Sequence, residues 1–184
     1  IPISFEKFHI YTYPENTAIP FYTKLARSGI LVCKLDDYPL SIATTHLTTD
    51  TTHNLTPKNK RYNLIRSQIL QAAEIFTKTK NNIVLTGDFN TAKGSMLYEE
   101  FLRVSKAKDI FSTYNDITYS PERTPYRFPA EVASRIDYIF YKVNTLKFTP
   151  SELNHVFVEQ VPLKNGKKSY LSDPLTKFRI ALSS

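Results

Sequence analysis

Four places in this sequence set a chemistry-bearing polar side chain in, or at the end of, an apolar run. They are His46 in IATTHL, Asp88 and Asn90 in GDFN, Asp137 in RIDYIF, and Asp173 in LSDP. Burying a carboxylate or an imidazole costs several kcal/mol unless it is paired or metal-bound, so the repeated pattern needs a reason. Carboxylate and amide oxygens suit a hard cation such as Mg²⁺, and an imidazole suits proton transfer or charge stabilisation. Converging strand ends are where such groups can be assembled on rigid elements. Each site also has a plain structural reading. Asp-x-Asn after a strand is a common turn whose side chains bond their own backbone. A single His is often a satisfied structural residue, and Asp137 has Arg135 nearby as an ion-pair partner. Ser172-Asp173 before Pro174 is a plausible turn start. His9, His53 and His155 carry no further signal.

The elements that must position these groups follow from apolar periodicity. Residues 1–27, broken by Pro2, Pro14 and Pro20, read as irregular. SGILVCKL and LSIATTHL read as two strands of a hairpin joined by DDYP. Residues 48–57 make a loop. Ile65, Ile69, Ala72, Ala73 and Phe76 then recur at helical spacing between Asn59 and Lys80. The strand NNIVLTG leads into the loop DFNTAKG, and a short helix passes through Met96, Leu97, Phe101 and Leu102. Residues 112–131, with Pro121, Pro125 and Pro129, read as a long surface loop. SRIDYIFYK alternates as a strand with Asp137 on the face of Ile139 and Tyr141. HVFVEQV and KFRIAL are further strands, the last entered through YLSDPLT. Strands outnumber helices without regular βαβ alternation, which predicts an α+β fold with a mostly antiparallel sheet.

Composition bounds the rest. A chain of 184 residues with 41% hydrophobic content fits one domain with a sizeable core. No run of eighteen apolar residues is present, so no helical membrane span is expected. The net charge of +7 favours an anionic partner, although the lysines are scattered as on a solvated surface. The single Cys33, in GILVCKL, reads as a buried small hydrophobe and excludes an internal disulfide. No signal peptide is recognisable at Ile1, the first residue is not Met, and the compartment stays open between cytoplasmic and secreted.

In this order along the chain, TTHL, a helix containing Arg66 and Gln68, GDFN, SRIDYIFY and LSD resemble the exonuclease–endonuclease–phosphatase superfamily. That resemblance runs from about Gly29 to Ile180. The loop and helix after TTHL look most like sphingomyelinase-type phosphodiesterases. The resemblance implies a deoxyribonuclease-like, four-layer β-sandwich flanked by helices. Residues 1–184 would form one partial domain, its C-terminal half. It implies a Mg²⁺-dependent phosphodiester hydrolase, with Mn²⁺ as a substitute, acting on a phospholipid such as sphingomyelin ahead of nucleic acid.

By the same resemblance, His46 contacts the scissile phosphate and stabilises its developing charge. Asp88 activates or orients the attacking water, Asn90 binds the phosphate, and Gly87 lets backbone approach it. Asp137 orients a later catalytic His, and Asp173 is a metal-site or phosphate-site ligand. Two departures stand out. The family's terminal Ser-Asp-His is here Ser172-Asp173-Pro174, and no His follows it. The family's N-terminal half, with its metal-ligand Glu, has no counterpart; Glu6 and Glu15 lie in no matching context. Two alternatives therefore accompany the phosphodiesterase reading: a nuclease with a salt-sensitive basic surface, and a catalytically impaired phosphate-binding remnant.

Overall fold

The computed structural model describes residues 2–13, 19, 21, 25, 27–50, 55–113, 117–120, 132–145, 147–156, 160–162, 168–170 and 175–183, with side chains only up to Thr145. Its centre is a six-stranded sheet in the order β1-β2-β3-β4-β6-β5. These strands are β1 (Ile3–Ile10), β2 (Gly29–Leu35), β3 (Leu40–His46), β4 (Asn82–Asp88), β5 (Lys108–Asp109) and β6 (Asp137–Lys142). Neighbouring strands are antiparallel except β3 and β4, which run parallel. A parallel pair needs a crossover, supplied here by helix α1 (Lys60–Lys78). Helix α2 (Met96–Ser105) follows β4.

Both helices cover one face of the sheet. Asn59 caps α1 by accepting the Arg61 backbone N–H at 2.8 Å, and its predicted apolar stripe is buried. Ile65, Ile69, Ala72, Ala73 and Phe76 pack with Ile30, Val32, Ala43, Ile83, Leu85 and Phe140 of the sheet. Arg66 ties α1 to Glu100 of α2 through a two-pronged contact of 2.8 and 2.6 Å. The C-terminus of α1 is held by β6, where the Lys142 ammonium donates to the carbonyls of Phe76, Thr77 and Thr79 at 2.8–3.0 Å. A cation there satisfies helix-end acceptors and opposes the negative end of the helix dipole.

The opposite face carries a smaller cluster of Leu35, Leu40, Val84, Phe111 and Ile139. Beyond it Ile3, Phe5, Phe8, Ile10 and Ile42 stay exposed. Cys33, expected to be buried, is only half-buried. It pairs with Ile42 and Phe5 in the part of this face that is least covered.

Two element expectations need correction. The first stretch is not irregular: ISFEKFHI forms β1, antiparallel to β2, and the prolines only bracket it. A register shift between Phe5 and Lys7 inserts Glu6 as an extra residue, which breaks the alternation that would have marked a strand. HVFVEQV is divided: His155 and Val156 end β7 (Lys147–Val156), while Gln160 and Val161 belong to β8 (Gln160–Pro162). β7 pairs with β10 (Leu175–Ser183), and β8 with β9 (Lys168–Tyr170), as separate two-stranded sheets. Pro150 hides β7 in the sequence; it is accommodated beside the register shift at Arg179/Ile180. The central sheet is mostly antiparallel, as expected, with one parallel pair joined through α1. Of the long loop 112–131, only residues 112–113 and 117–120 are described, and Tyr119 bridges Ser134. No described helix is long and apolar enough to cross a membrane.

Replacing Lys142 by Met should remove three helix-end contacts and lower stability by about 1–2 kcal/mol, read as a lower urea midpoint.

Candidate active site

The parallel pairing of β3 with β4 sets His46 directly beside Asp88, and the antiparallel pairing of β4 with β6 sets Asp88 beside Asp137. Alternation puts all three on the face away from the helices, in one row across three strands. His46 is mostly exposed, not packed as a structural histidine, and its Nε2 lies 3.5 Å from Asp88 Oδ2. The other oxygen, Asp88 Oδ1, accepts the Asn90 backbone N–H at 2.7 Å. Asn90 itself is left-handed, with φ of 47°, and its side-chain amide donates to the Leu47 carbonyl at 2.8 Å. The turn reading and the site reading of GDFN therefore coexist: one carboxylate oxygen builds the turn and the other faces the imidazole.

Several further residues hold this row in place. Phe89 points from the GDFN loop into the core, with ring centroids 5.2 Å from Phe101 and 5.1 Å from Phe140. Its backbone N–H donates to the Ile136 carbonyl at 2.9 Å. Gly87 has φ of +151°, and a Cβ built there would collide with the Thr45 carbonyl oxygen of β3. The close approach that requires glycine is therefore between the two parallel strands. Thr118, in the long loop, accepts the backbone N–H groups of Ile136 and Asp137 at 3.1 Å each. Fully buried Gln68 accepts the Thr48 N–H at 2.9 Å and donates to Thr48 Oγ1 and the Tyr13 hydroxyl at 3.0 Å each, fixing the chain just after His46. Arg135 does not depend on Asp137 for its charge: its guanidinium meets buried Asp109 at 2.5 Å. Asp173 and Pro174 lie outside the described residues.

Among the described residues, no group of three or more His, Cys, Asp or Glu is placed to hold a metal ion. The donors at this end of the strands are the oxygens of Asp88, Asn90 and Asp137, the kind a hard divalent cation takes. They fit such an ion as part of a ligand set.

The family described as Endonuclease/Exonuclease/phosphatase matches residues 5–173. The chain belongs to this family. The match begins inside β1, so that strand is part of the family domain and the likeness starts well before Gly29. No curated protein matches the chain. Among solved structures it is similar to TDP2 from D. rerio complexed with single-strand DNA product, at 16% identity over 99% of this chain and 69% of that chain, with a TM-score of 0.63. It is similar to SmcL at 16% identity over 93% of this chain and 59% of that one, TM-score 0.55. It is also similar to a mannosyl-6-phosphatase of Bacteroides thetaiotaomicron at 14% identity over 99% and 67%, TM-score 0.56. At such identities the likeness is one of fold. The chain spans 59% to 69% of the lengths of these three proteins. Family members act as phosphodiesterases or phosphatases on nucleic acids, lipids or sugar phosphates, and generally use divalent metals.

Two predictions follow from the packing. Gly87→Ala should destabilise the protein by at least about 2 kcal/mol in urea unfolding, because β3 and β4 cannot separate without breaking the row. The phenols of Tyr11, Tyr98 and Tyr138 are all pushed up, chiefly by burial. Folding thus favours their neutral forms: stability is fully present below the ordinary phenol value, about 10, and falls as pH rises beyond it, because the unfolded chain then ionises first. Tyr138→Phe should flatten that alkaline decline by about one proton in a pH series of unfolding free energies.

Proposed function

We propose that this chain is part of a divalent-metal-dependent phosphodiester hydrolase, with Mg²⁺ as the ion and a phospholipid of the sphingomyelin type as the preferred substrate. The observation that carries the reading is the row His46–Asp88–Asp137, with Asn90 tied beside it, at one end of the adjacent strands β3, β4 and β6. Hydrolysing a phosphodiester needs an oriented water, donors or a cation on the charged oxygens, and a stabilised leaving group. Asp88, with one oxygen locked in its turn, is suited to orient the water through the other. The exposed His46 is suited to donate to the phosphate oxygens as charge develops, and the Asn90 amide to bind the same group. Asp88, Asn90, Asp137 and Asp173 are the oxygen donors toward a metal, which would polarise the phosphate when bound. The preference for a lipid rests on the likeness of the loop and helix after TTHL to sphingomyelinase-type enzymes. The uncovered apolar face of Ile3, Phe5, Phe8 and Ile10 is where a further layer of the domain, its N-terminal half, would pack.

Pro174 favours a second reading. Proline can neither transfer a proton nor donate to a phosphate, so Asp137 lacks the histidine that the family places after Ser-Asp. A phosphate-binding remnant would hold the headgroup without turnover.

The test is hydrolysis of bis(p-nitrophenyl) phosphate and of sphingomyelin by the full chain. Activity should vanish with EDTA, return with Mg²⁺, and fall by about a hundredfold or more in Asp88→Ala. Undiminished turnover in Asp88→Ala would remove that residue from the reaction. Phosphate binding without turnover at high Mg²⁺ would support the remnant.

A further inference from the structure

A buried, multiply bonded ion pair joins Asp109 of β5 to Arg135, two residues before Asp137. The side chains of Arg135 and Asp109 are 5% and 1% exposed. Arg135 Nη2 meets Asp109 Oδ1 at 2.5 Å, and Nη1 donates to the Phe111 carbonyl at 2.6 Å. Asp109 is satisfied on both oxygens: Oδ1 also accepts the Phe111 N–H at 3.0 Å, and Oδ2 accepts the Tyr98 hydroxyl at 2.8 Å. The guanidinium carbon sits 4.9 Å from the centroid of the Tyr138 ring.

Such a pair is a poor source of stability, because removing two charges from water offsets their attraction and an apolar pair of similar volume packs as well or better. What it supplies is direction, since a planar fork held at two points fixes the backbone that carries it. That backbone is where the site is joined. The Arg135 carbonyl accepts the Lys93 N–H at 3.1 Å and lies 2.7 Å from the Tyr138 hydroxyl, which also reaches the Thr91 carbonyl at 2.8 Å. The next carbonyl, of Ile136, accepts the Phe89 N–H. One residue further is Asp137. The loop carrying Asn90 is thus stitched at both ends to the segment that Arg135 anchors.

We propose that the Asp109–Arg135 pair sets the spacing between Asn90 and Asp137, Arg135 being a positioning residue for the phosphodiester site. This rests on the hydrolase reading for its effect on rate, but not for its effect on the loop.

The experiment compares the full chain with Arg135→Lys, with the double replacement Asp109→Leu/Arg135→Met, and with Phe76→Leu as a stability-matched control in the helical core away from the row. Turnover of bis(p-nitrophenyl) phosphate is measured where each protein is folded, alongside amide exchange at Phe89 and Lys93. Arg135→Lys should lower kcat by about tenfold or more with little change in KM, and speed exchange at both amides by a similar factor beyond the control. The double replacement should recover thermal stability while kcat stays low and the loop still exchanges fast. If it restores kcat and protection together with stability, the pair is only packing and the proposal fails. It fails equally if Arg135→Lys matches Phe76→Leu in both readouts. If the unmodified chain hydrolyses nothing, the hydrolase reading falls, and the exchange rates at Phe89 and Lys93 alone decide whether the pair holds the loop.

Discussion

The approach of Gly87 to the Thr45 carbonyl is the contact on which the geometry of the candidate site depends. β3 and β4 can run side by side in parallel there only because one of them has no side chain at that point. That pairing puts His46 beside Asp88, and the antiparallel partner β6 then puts Asp137 on the far side. The chemistry-bearing row is thus a consequence of strand register: a slip by one residue would turn each of its members to the opposite face. The crossover helix, the aromatic packing of Phe89 and the bonds from Ile136 to the loop all serve to keep that register.

The two carboxylate oxygens of Asp88 face different partners. Oδ1 closes the turn that places Asn90 in a left-handed conformation, and Asn90 then bonds back to the chain leaving β3. The turn therefore brings the amide against the end of the neighbouring strand and leaves the second carboxylate oxygen toward the imidazole. A residue that looks like an ordinary turn former thus has its orientation set by the turn it forms.

The hairpin of β2 and β3, helix α1 and the strand into GDFN were legible in the sequence because each follows a clean apolar period. So were the residues of the row, because a polar group at the end of a buried strand is conspicuous. What escaped was whatever lacks a period. Glu6 breaks the alternation of β1 by one residue, and Pro150 makes β7 look like loop. Thr118 sits in a polar stretch with nothing to distinguish its hydroxyl from any other. Asp109 and Arg135 lie far apart in the chain, and only the fold makes them partners. The half-buried Cys33 departs from expectation for a different reason: an apolar run shows that a strand is buried on some face, not that both faces are covered.

The irregularity that conceals β1 has another effect. Among the described residues β1 is one of the two outermost strands of the sheet, and its row of outward amides and carbonyls is what a stray strand from another molecule would pair with. The extra residue at Glu6 throws that row out of step halfway along, and it places two consecutive charges, Glu6 and Lys7, at the break. An edge so greasy on one face would otherwise be an open invitation to pile up; the kink makes it a poor template for the next chain.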